Sequence, residues 1–297
     1  MTERLLDLAD KPARLSVRLG QLAIERGEDE TVTVPLEDLA VVVVSHPAVT
    51  FTLGVLAGLA ARGGAFVVCD EKHLPVGMIL PLQGHHLQSE RFAQQAAASQ
   101  PTRKRIWQQL VKAKVKAQGN VLKELRGDDE GLIALAQRVR SGDADNVESR
   151  ASRRYWPALF GDPAFRRNRD ADDYNRQLNY GYAVLRAIVA RAICAAGLHP
   201  SLGLHHHNRY DTFALASDLM EPLRPLVDKA VVLHARLKCP DAPFDKKAKA
   251  TILNALRGRL LVEGEERTLF DVAARTASSL AHVYLGQRKR LVLPEIH

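Results

Sequence analysis

Hydrophobic and polar positions alternate over the first 80 residues and then change period. In "RLSVRLGQLAIER" Leu, Val and Ile alternate with polar residues, the two-residue period of a strand, and "ETVTVPLEDLAVVVVS" follows after the turn residues "GEDE". "HPAVTFTLGVLAGLAARGG" reads as a helix closed by glycine, and "AFVVCD" as a buried strand. Together they predict a small sheet carrying one helical crossover. Gly63 and Gly64 read as a helix C-cap, because no GxGxxG follows a strand and the chain has no Walker-type lysine motif. After the Pro- and Gly-rich passage "HLPVGMILPLQGHH" the apolar spacing becomes 3.6, from Gln88 to Leu285. The pattern predicts an α+β chain: a small N-terminal β-rich domain over residues 1–80, then a larger all-helical domain over 81–297.

Composition narrows the class. The chain has 297 residues, 46% of them hydrophobic, enough for one large or two medium domains with a real core. No stretch of about 18 apolar residues offers a membrane span. The N-terminal "MTERLLDLADKPARLSV" is charged early and lacks the apolar run of a secretory signal. Cys69, Cys194 and Cys239 are scattered, matching neither a disulfide framework nor a zinc ribbon, and a reducing cytoplasm is the expected setting. Lys and Arg outnumber Asp and Glu by 42 to 34, for a formal charge of +8 and a pI near 9.5. That balance points to a polyanionic partner, nucleic acid before membrane, with a merely basic enzyme as the alternative.

Two segments concentrate the positive charge. In "TRKRIWQQLVKAKVKAQGNVLKELR", Ile106, Leu110, Val111, Val115, Val121, Leu122 and Leu125 fall near one helical face, opposite Lys104, Arg105, Lys112, Lys114, Lys116 and Lys123. Such a stripe either tracks a phosphate backbone or is an ordinary solvated face. "SRRYWPALFGDPAFRRNRD" interleaves Arg153, Arg154, Arg166, Arg167 and Arg169 with Tyr155, Trp156 and Phe160, a pattern suited to nucleic acid, although the aromatics also fit a core. Arg105, Lys112, Lys116, Arg153, Arg154, Arg166 and Arg167 are the candidate DNA contacts.

Chemistry concentrates in "LHHHNRYDTFALASDLMEPLRP", residues 204–225. Asp218 and Glu221 are three apart, so on a helix their carboxylates share a face and can address one cation. Pro222 and Pro225 require a helix that starts near Asp218 or one that bends there. A carboxylate near a helix N-terminus is also stabilised by the dipole, a purely structural role for Asp218. In an extended backbone His205 and His207 point one way and His206 the other. Imidazole with carboxylates suits Mg²⁺ or Mn²⁺ better than a closed structural zinc site.

"GLHPSLGLHHHNRYDTFALASDLMEPLRPLVD" resembles the signature of the CRISPR-associated integrase family, the larger subunit of the spacer-acquisition complex, in its type II form. "NVESRASRRYWPALFG" resembles that family's glutamate motif, and "DYNRQLNYGYAVLRAIVARAICAAGLHP" its Leu-Asn-Tyr-Gly-Tyr helix; "SRAS" after Glu148 departs mildly from the usual small-residue run. The resemblance covers nearly the whole chain and implies a metal-dependent DNA endonuclease and integrase. Such an enzyme inserts short foreign DNA into a repeat array by attack of a 3′-hydroxyl on a phosphodiester. It places metal ligation and catalysis on Glu148, His206 and Glu221, with Asp218, Asn179 and Tyr180 as auxiliaries. The implied cofactor is Mg²⁺ or Mn²⁺. The implied partners are double-stranded DNA (foreign fragment and CRISPR repeat), a second copy of the chain, the smaller CRISPR-associated subunit and the type II effector nuclease. The N-terminal domain, with its strand edges and runs such as "VVVVS", is expected to mediate dimerisation and to hold no catalytic residue. Two other readings stay open: a general metal-dependent repair nuclease using water as nucleophile, and a non-catalytic DNA-binding scaffold.

Overall fold

The structure, a computed structural model, describes residues 4–27, 30–70, 75–171, 173–205, 211–235 and 244–296. The N-terminal part contains β1 (Arg4–Leu8), β2 (Arg14–Arg18), β3 (Gln21–Glu25), β4 (Val32–Pro35), β5 (Leu39–Val44), β6 (Thr50–Phe51), α1 (Leu53–Ala61), β7 (Ala65–Cys69) and β8 (Pro75–Ile79). "RLSVRLGQLAIER" is a hairpin and not one strand. Leu19 (φ 49°) and Gly20 (φ 75°) form its two-residue turn, and positive φ at both central positions matches the twist of the flanking strands. Pro35 cannot donate to a ladder and closes β4, so "ETVTVPLEDLAVVVVS" divides into β4 and β5 around a 3-10 turn at Leu36–Asp38.

These strands make two sheets, β4-β3-β2-β6 and β1-β5-β7-β8. β5 and β7 are parallel and joined by α1, the expected crossover. Gly63 (φ 73°) ends that helix, with the Gly64 N–H donating to the Leu59 carbonyl at 2.9 Å. β5 is buried along its whole length because both faces of its sheet are covered. Val42, Val44 and Phe66 pack with Leu15, Leu22 and Ile24 of the other sheet. Val41, Val43 and Val67 join the core of the helical part. The run "VVVV" is therefore an interior strand, in keeping with its unbroken apolar pattern.

Helices follow: α2 (Gln88–Ala96), α3 (Gln100–Arg126), α4 (Leu132–Ala136), α5 (Val147–Phe160), α6 (Tyr174–Ala195), α7 (Ala214–Leu219), α8 (Arg224–Ala235) and α9 (Lys246–Ala255). A hairpin of β9 (Arg259–Val262) and β10 (Glu265–Thr268) then leads into α10 (Leu269–Tyr284), so this part is mostly, not wholly, helical. The signal for that hairpin was Glu263-Gly264, both at positive φ between the paired Val262 and Glu265. No helix among the described residues is long and apolar enough to cross a membrane.

α6 runs through the middle of the helical core, and α8 crosses it closely at Gly181. A Cβ there would lie 2.4 Å from Val227 Cγ1 and 3.0 Å from Ile252 Cγ2, so the glycine is what permits the approach. Near Asp218 the chain bends: α7 ends at Leu219, a 3-10 turn spans Glu221–Leu223, and α8 begins at Arg224 with Pro225 in its first turn. Asp218 thus stands at the C-terminal end of α7. The dipole role that a helix N-terminus would have given it does not apply.

Candidate active site

Three elements meet at one buried ammonium. α3 supplies Lys114, which is 8% exposed. Its Nζ donates to Glu148 Oε1 at 2.5 Å and forms an ion pair with Glu221 Oε2 at 2.6 Å. Glu148 lies in the first turn of α5, where the dipole favours a carboxylate. Asp143 fixes that turn by accepting from the N–H groups of Val147 (2.8 Å) and Glu148 (3.1 Å). Glu221 opens the 3-10 turn before α8 and is 3% exposed; its Oε1 pairs with Arg224 Nε at 2.9 Å. Burial draws the Lys114 ammonium down, but Glu221 and Glu148 reverse this and leave it above the usual lysine value, so it is charged.

Lys114 therefore leaves the basic stripe in which the helical pattern placed it. The signal was present: it falls three residues after Val111 and four after Leu110, on the apolar side of α3, while Arg105, Lys112 and Lys116 are exposed.

Asp218 is fully buried, and its Oδ2 accepts from the N–H groups of Leu204 (2.6 Å) and His205 (3.2 Å). It thereby fixes the backbone of Leu204 and His205. The His205 ring stacks on Trp107 of α3, centroids 4.3 Å apart and planes within 2°. Trp107 is one heptad before Lys114, so one side of α3 carries both the stacking platform and the ammonium. His206 and His207 lie outside the described residues. Among the described residues, no three of His, Cys, Asp and Glu form a group that could hold a metal.

The Leu-Asn-Tyr-Gly-Tyr stretch of α6 divides its duties. Asn179 holds the loop before α6: its Oδ1 accepts from Arg167, and its Nδ2 donates to the Arg169 carbonyl at 2.8 Å. Tyr180 turns away from the site toward the N-terminal sheet, where it lies beside Asp7 and edge-on to Phe244 at 5.2 Å, so it does not support the carboxylates. The tyrosine that does face the site is Tyr182. Its hydroxyl and that of Tyr155 (3.0 Å) donate to the two oxygens of Asp228, which is 1% exposed. Arg224 stacks over the Tyr182 ring at 4.6 Å. Glu221, Arg224 and Asp228 occupy positions i, i+3 and i+7, a spacing from which their shared face was readable.

Burial pushes the Asp228 carboxyl up to about 6, against the hydrogen bonds of Tyr182 and Tyr155 and the charge of Arg224. The folded protein therefore binds this proton more tightly than the unfolded chain, whose ordinary value is 3.8, and Asp228 costs stability as pH rises from about 4 to about 6. Asp228→Asn, which cannot ionise, should gain roughly 3 kcal/mol on the wild type between pH 4 and pH 7. Urea unfolding at both pH values checks this; a pH-independent difference contradicts it.

Guanidinium groups dominate the adjoining space. A cavity of about 270 Å³ is lined by Lys114, Glu221, Asp228, Arg167, Arg169 and Arg224. A neighbouring cavity of about 260 Å³ shares those three arginines and adds Arg186. Arg167 is anchored to Asn175 at 2.9 Å and lies over the Tyr182 ring at 5.4 Å, so of the candidate DNA contacts it faces the site. Arg166 donates to the carbonyls of Pro163 and Phe165, and Arg153 and Arg154 are exposed on the outer side of α5.

A carboxylate pair beside anion-attracting arginines suits phosphodiester chemistry, and comparison with known proteins agrees. The profile of the family described as CRISPR associated protein Cas1 matches residues 7–265. The chain belongs to the Cas1 family. It is 38% identical over 302 residues to a protein of Neisseria meningitidis named CRISPR-associated endonuclease Cas1, covering 100% of this chain and 97% of that one. Among solved structures, a casposase bound to integration product superposes with a TM-score of 0.79 at 21% identity, over 97% of this chain and 92% of that one. A chain of a Cas6-RT-Cas1–Cas2 complex superposes with a TM-score of 0.73 at 20% identity, over 97% of this chain and 35% of that longer one. The mixed α+β Cas1 architecture, strand-rich first and mostly helical after, is thus the fold of this chain.

Proposed function

We propose that this chain is the integrase of CRISPR adaptation, of the type II form. It is a metal-dependent DNA endonuclease that also joins the 3′-hydroxyl of a short foreign fragment to a phosphodiester of repeat DNA. The observation that carries this reading is the convergence of Glu148 and Glu221, from distant parts of a Cas1-family chain, on one cation position beside arginine-lined cavities. The casposase relative, bound to its integration product, supports joining over simple hydrolysis.

The donor set fits a hard divalent ion. Two carboxylate oxygens lie 2.5 and 2.6 Å from a single positive centre, and oxygen ligands suit Mg²⁺ or Mn²⁺. Glu148 and Glu221 would hold the ion with His206, whose part rests on the resemblance. When bound, such an ion polarises the scissile phosphate and offsets charge on the leaving oxygen.

The remaining work falls to the chain itself. Glu221 and the Tyr182 ring fix the Arg224 guanidinium, and Asn175 and Asn179 fix that of Arg167. Held rigidly, these forks can donate to phosphate oxygens and stabilise the charge that grows there during attack. Asp218 fixes Leu204 and His205, the residues directly before His206 in the chain. Exposed Arg105, Lys112, Lys116, Arg153 and Arg154 extend the positive surface along DNA and supply affinity by counterion release.

The partners in this reading are foreign and repeat DNA, a second copy of the chain, the smaller Cas2 subunit and the type II effector nuclease, and the cytoplasm is where they meet. A solved relative is a Cas1–Cas2 assembly, which supports the Cas2 partner. Residues 1–80 are assigned to dimerisation and subunit contacts; strand β8, at the sheet edge, with exposed Val76, supports that role.

A labelled 3′-hydroxyl fragment incubated with repeat duplex and Mn²⁺ separates the alternatives. Labelled strands lengthened by joining are expected. Shortened strands alone would leave a repair nuclease, and an unreacted label with DNA bound would leave a scaffold.

A further inference from the structure

We propose that Lys114 is a built-in counter-cation which a divalent ion must displace, so that metal loading and DNA binding are coupled through this one side chain. The proposal rests on the reading of Glu148 and Glu221 as metal ligands. Lys114 Nζ already sits within 2.6 Å of an oxygen of each, and an ion bound to both oxygens would need the same place. A compact ammonium and a divalent cation repel strongly in a buried setting, so the two cannot share the carboxylates.

The ammonium has somewhere to go. Lys114 also lines the cavity of about 270 Å³ that contains Arg167, Arg169 and Arg224. Its flexible four-carbon stem can swing, whereas Arg224 is pinned by Glu221 and by stacking on Tyr182. Moving there without DNA sets the ammonium beside three guanidinium groups with only the Asp228 carboxyl, already held by two tyrosine hydroxyls, to offset them. With a DNA phosphate in the cavity, the ammonium exchanges one anionic partner for another. Divalent ions should therefore bind weakly to the protein alone and more tightly with DNA, and by reciprocity DNA should bind more tightly with the ion.

Mn²⁺ titration of the full-length protein, followed by electron paramagnetic resonance with and without a repeat duplex, tests this on the wild type and on Lys114→Met. Methionine keeps the length and apolar stem but carries no charge. Lys114→Met should bind Mn²⁺ at least tenfold more tightly than the wild type without DNA, and the DNA-dependent gain of the wild type should largely vanish. A residue of merely structural importance would change affinity in the opposite direction. If the wild type and Lys114→Met bind Mn²⁺ equally, or the variant binds it more weakly, the counter-cation role is wrong while the metal site stands. If neither binds a stoichiometric ion, the metal reading falls and takes this one with it. Should Lys114→Met be unfolded in chelator, folding on addition of millimolar Mn²⁺ supports the proposal, and failure to fold there overturns it.

Discussion

Glu221→Ala is expected to reduce joining of a 3′-hydroxyl fragment to repeat DNA by at least about a thousandfold, roughly 4 kcal/mol of transition-state stabilisation. DNA affinity should change by less than about tenfold, about 1.4 kcal/mol. The two effects separate because a metal site acts mainly on charge that develops during reaction, whereas affinity comes from many Lys and Arg contacts to phosphate. Without divalent ions any shift in affinity should be toward tighter binding, since the substitution removes a negative charge that pairs with Lys114 and Arg224. Glu221 is buried between those two cations, so its loss also costs stability, on the order of 3–5 kcal/mol. Activity must therefore be measured at a temperature where circular dichroism shows the variant folded. Joining at the wild-type rate would remove Glu221 from the catalytic set.

The second large effect is expected at Asp218, with a different origin. Asp218→Ala leaves the buried N–H of Leu204 without its acceptor, at roughly 1–3 kcal/mol, and the part-buried N–H of His205 without its own, at less than that. Unfolding free energy should fall by about 2–5 kcal/mol. Joining should fall by about a hundredfold, because a loop misplaced by an ångström misplaces the histidine after it. Asp218→Asn keeps an amide oxygen that can accept, so it should recover most of the stability and much of the rate. A metal ligand would respond otherwise. If Asn were as damaging as Ala and weakened Mn²⁺ binding equally, Asp218 would be a ligand and not the anchor of the loop.

These residues show what one sequence can and cannot disclose. Glu148 and Glu221 were accessible because three ordered motifs resembled a known family, and the structure brings their carboxylates to the same ammonium although 73 residues separate them (221 less 148). The crossover β5-α1-β7 and its glycine cap were legible because period and cap chemistry are local properties. Lys114 was placeable on the apolar side of α3 from its spacing, but helical periodicity does not say which element covers that side. Only the arrival of α5 and α8 makes that side of α3 an interior.

The exchange of Tyr180 for Tyr182 has a related cause. α6 is buried on nearly all sides, so both tyrosines find interior partners, and only tertiary structure decides which hydroxyl meets Asp7 and which Asp228. At Asp218 the prolines left two readings open, a helix start or a bend, and the structure takes the second. A bend through a 3-10 turn satisfies Pro222 and leaves Asp218 at the end of the preceding helix. Leu19-Gly20 gives little turn signal in the sequence because leucine is rarely found at positive φ, although its full exposure removes any packing penalty there.

The most direct test of the central claim is anomalous scattering from crystals of the protein with repeat DNA soaked in Mn²⁺. The expected result is one strong peak with an oxygen of Glu148, an oxygen of Glu221 and a His206 nitrogen about 2.0–2.6 Å away, and the Lys114 ammonium turned toward phosphate. A peak elsewhere, or none between Glu148 and Glu221 at saturating Mn²⁺, would contradict the assignment of this carboxylate pair as the catalytic centre.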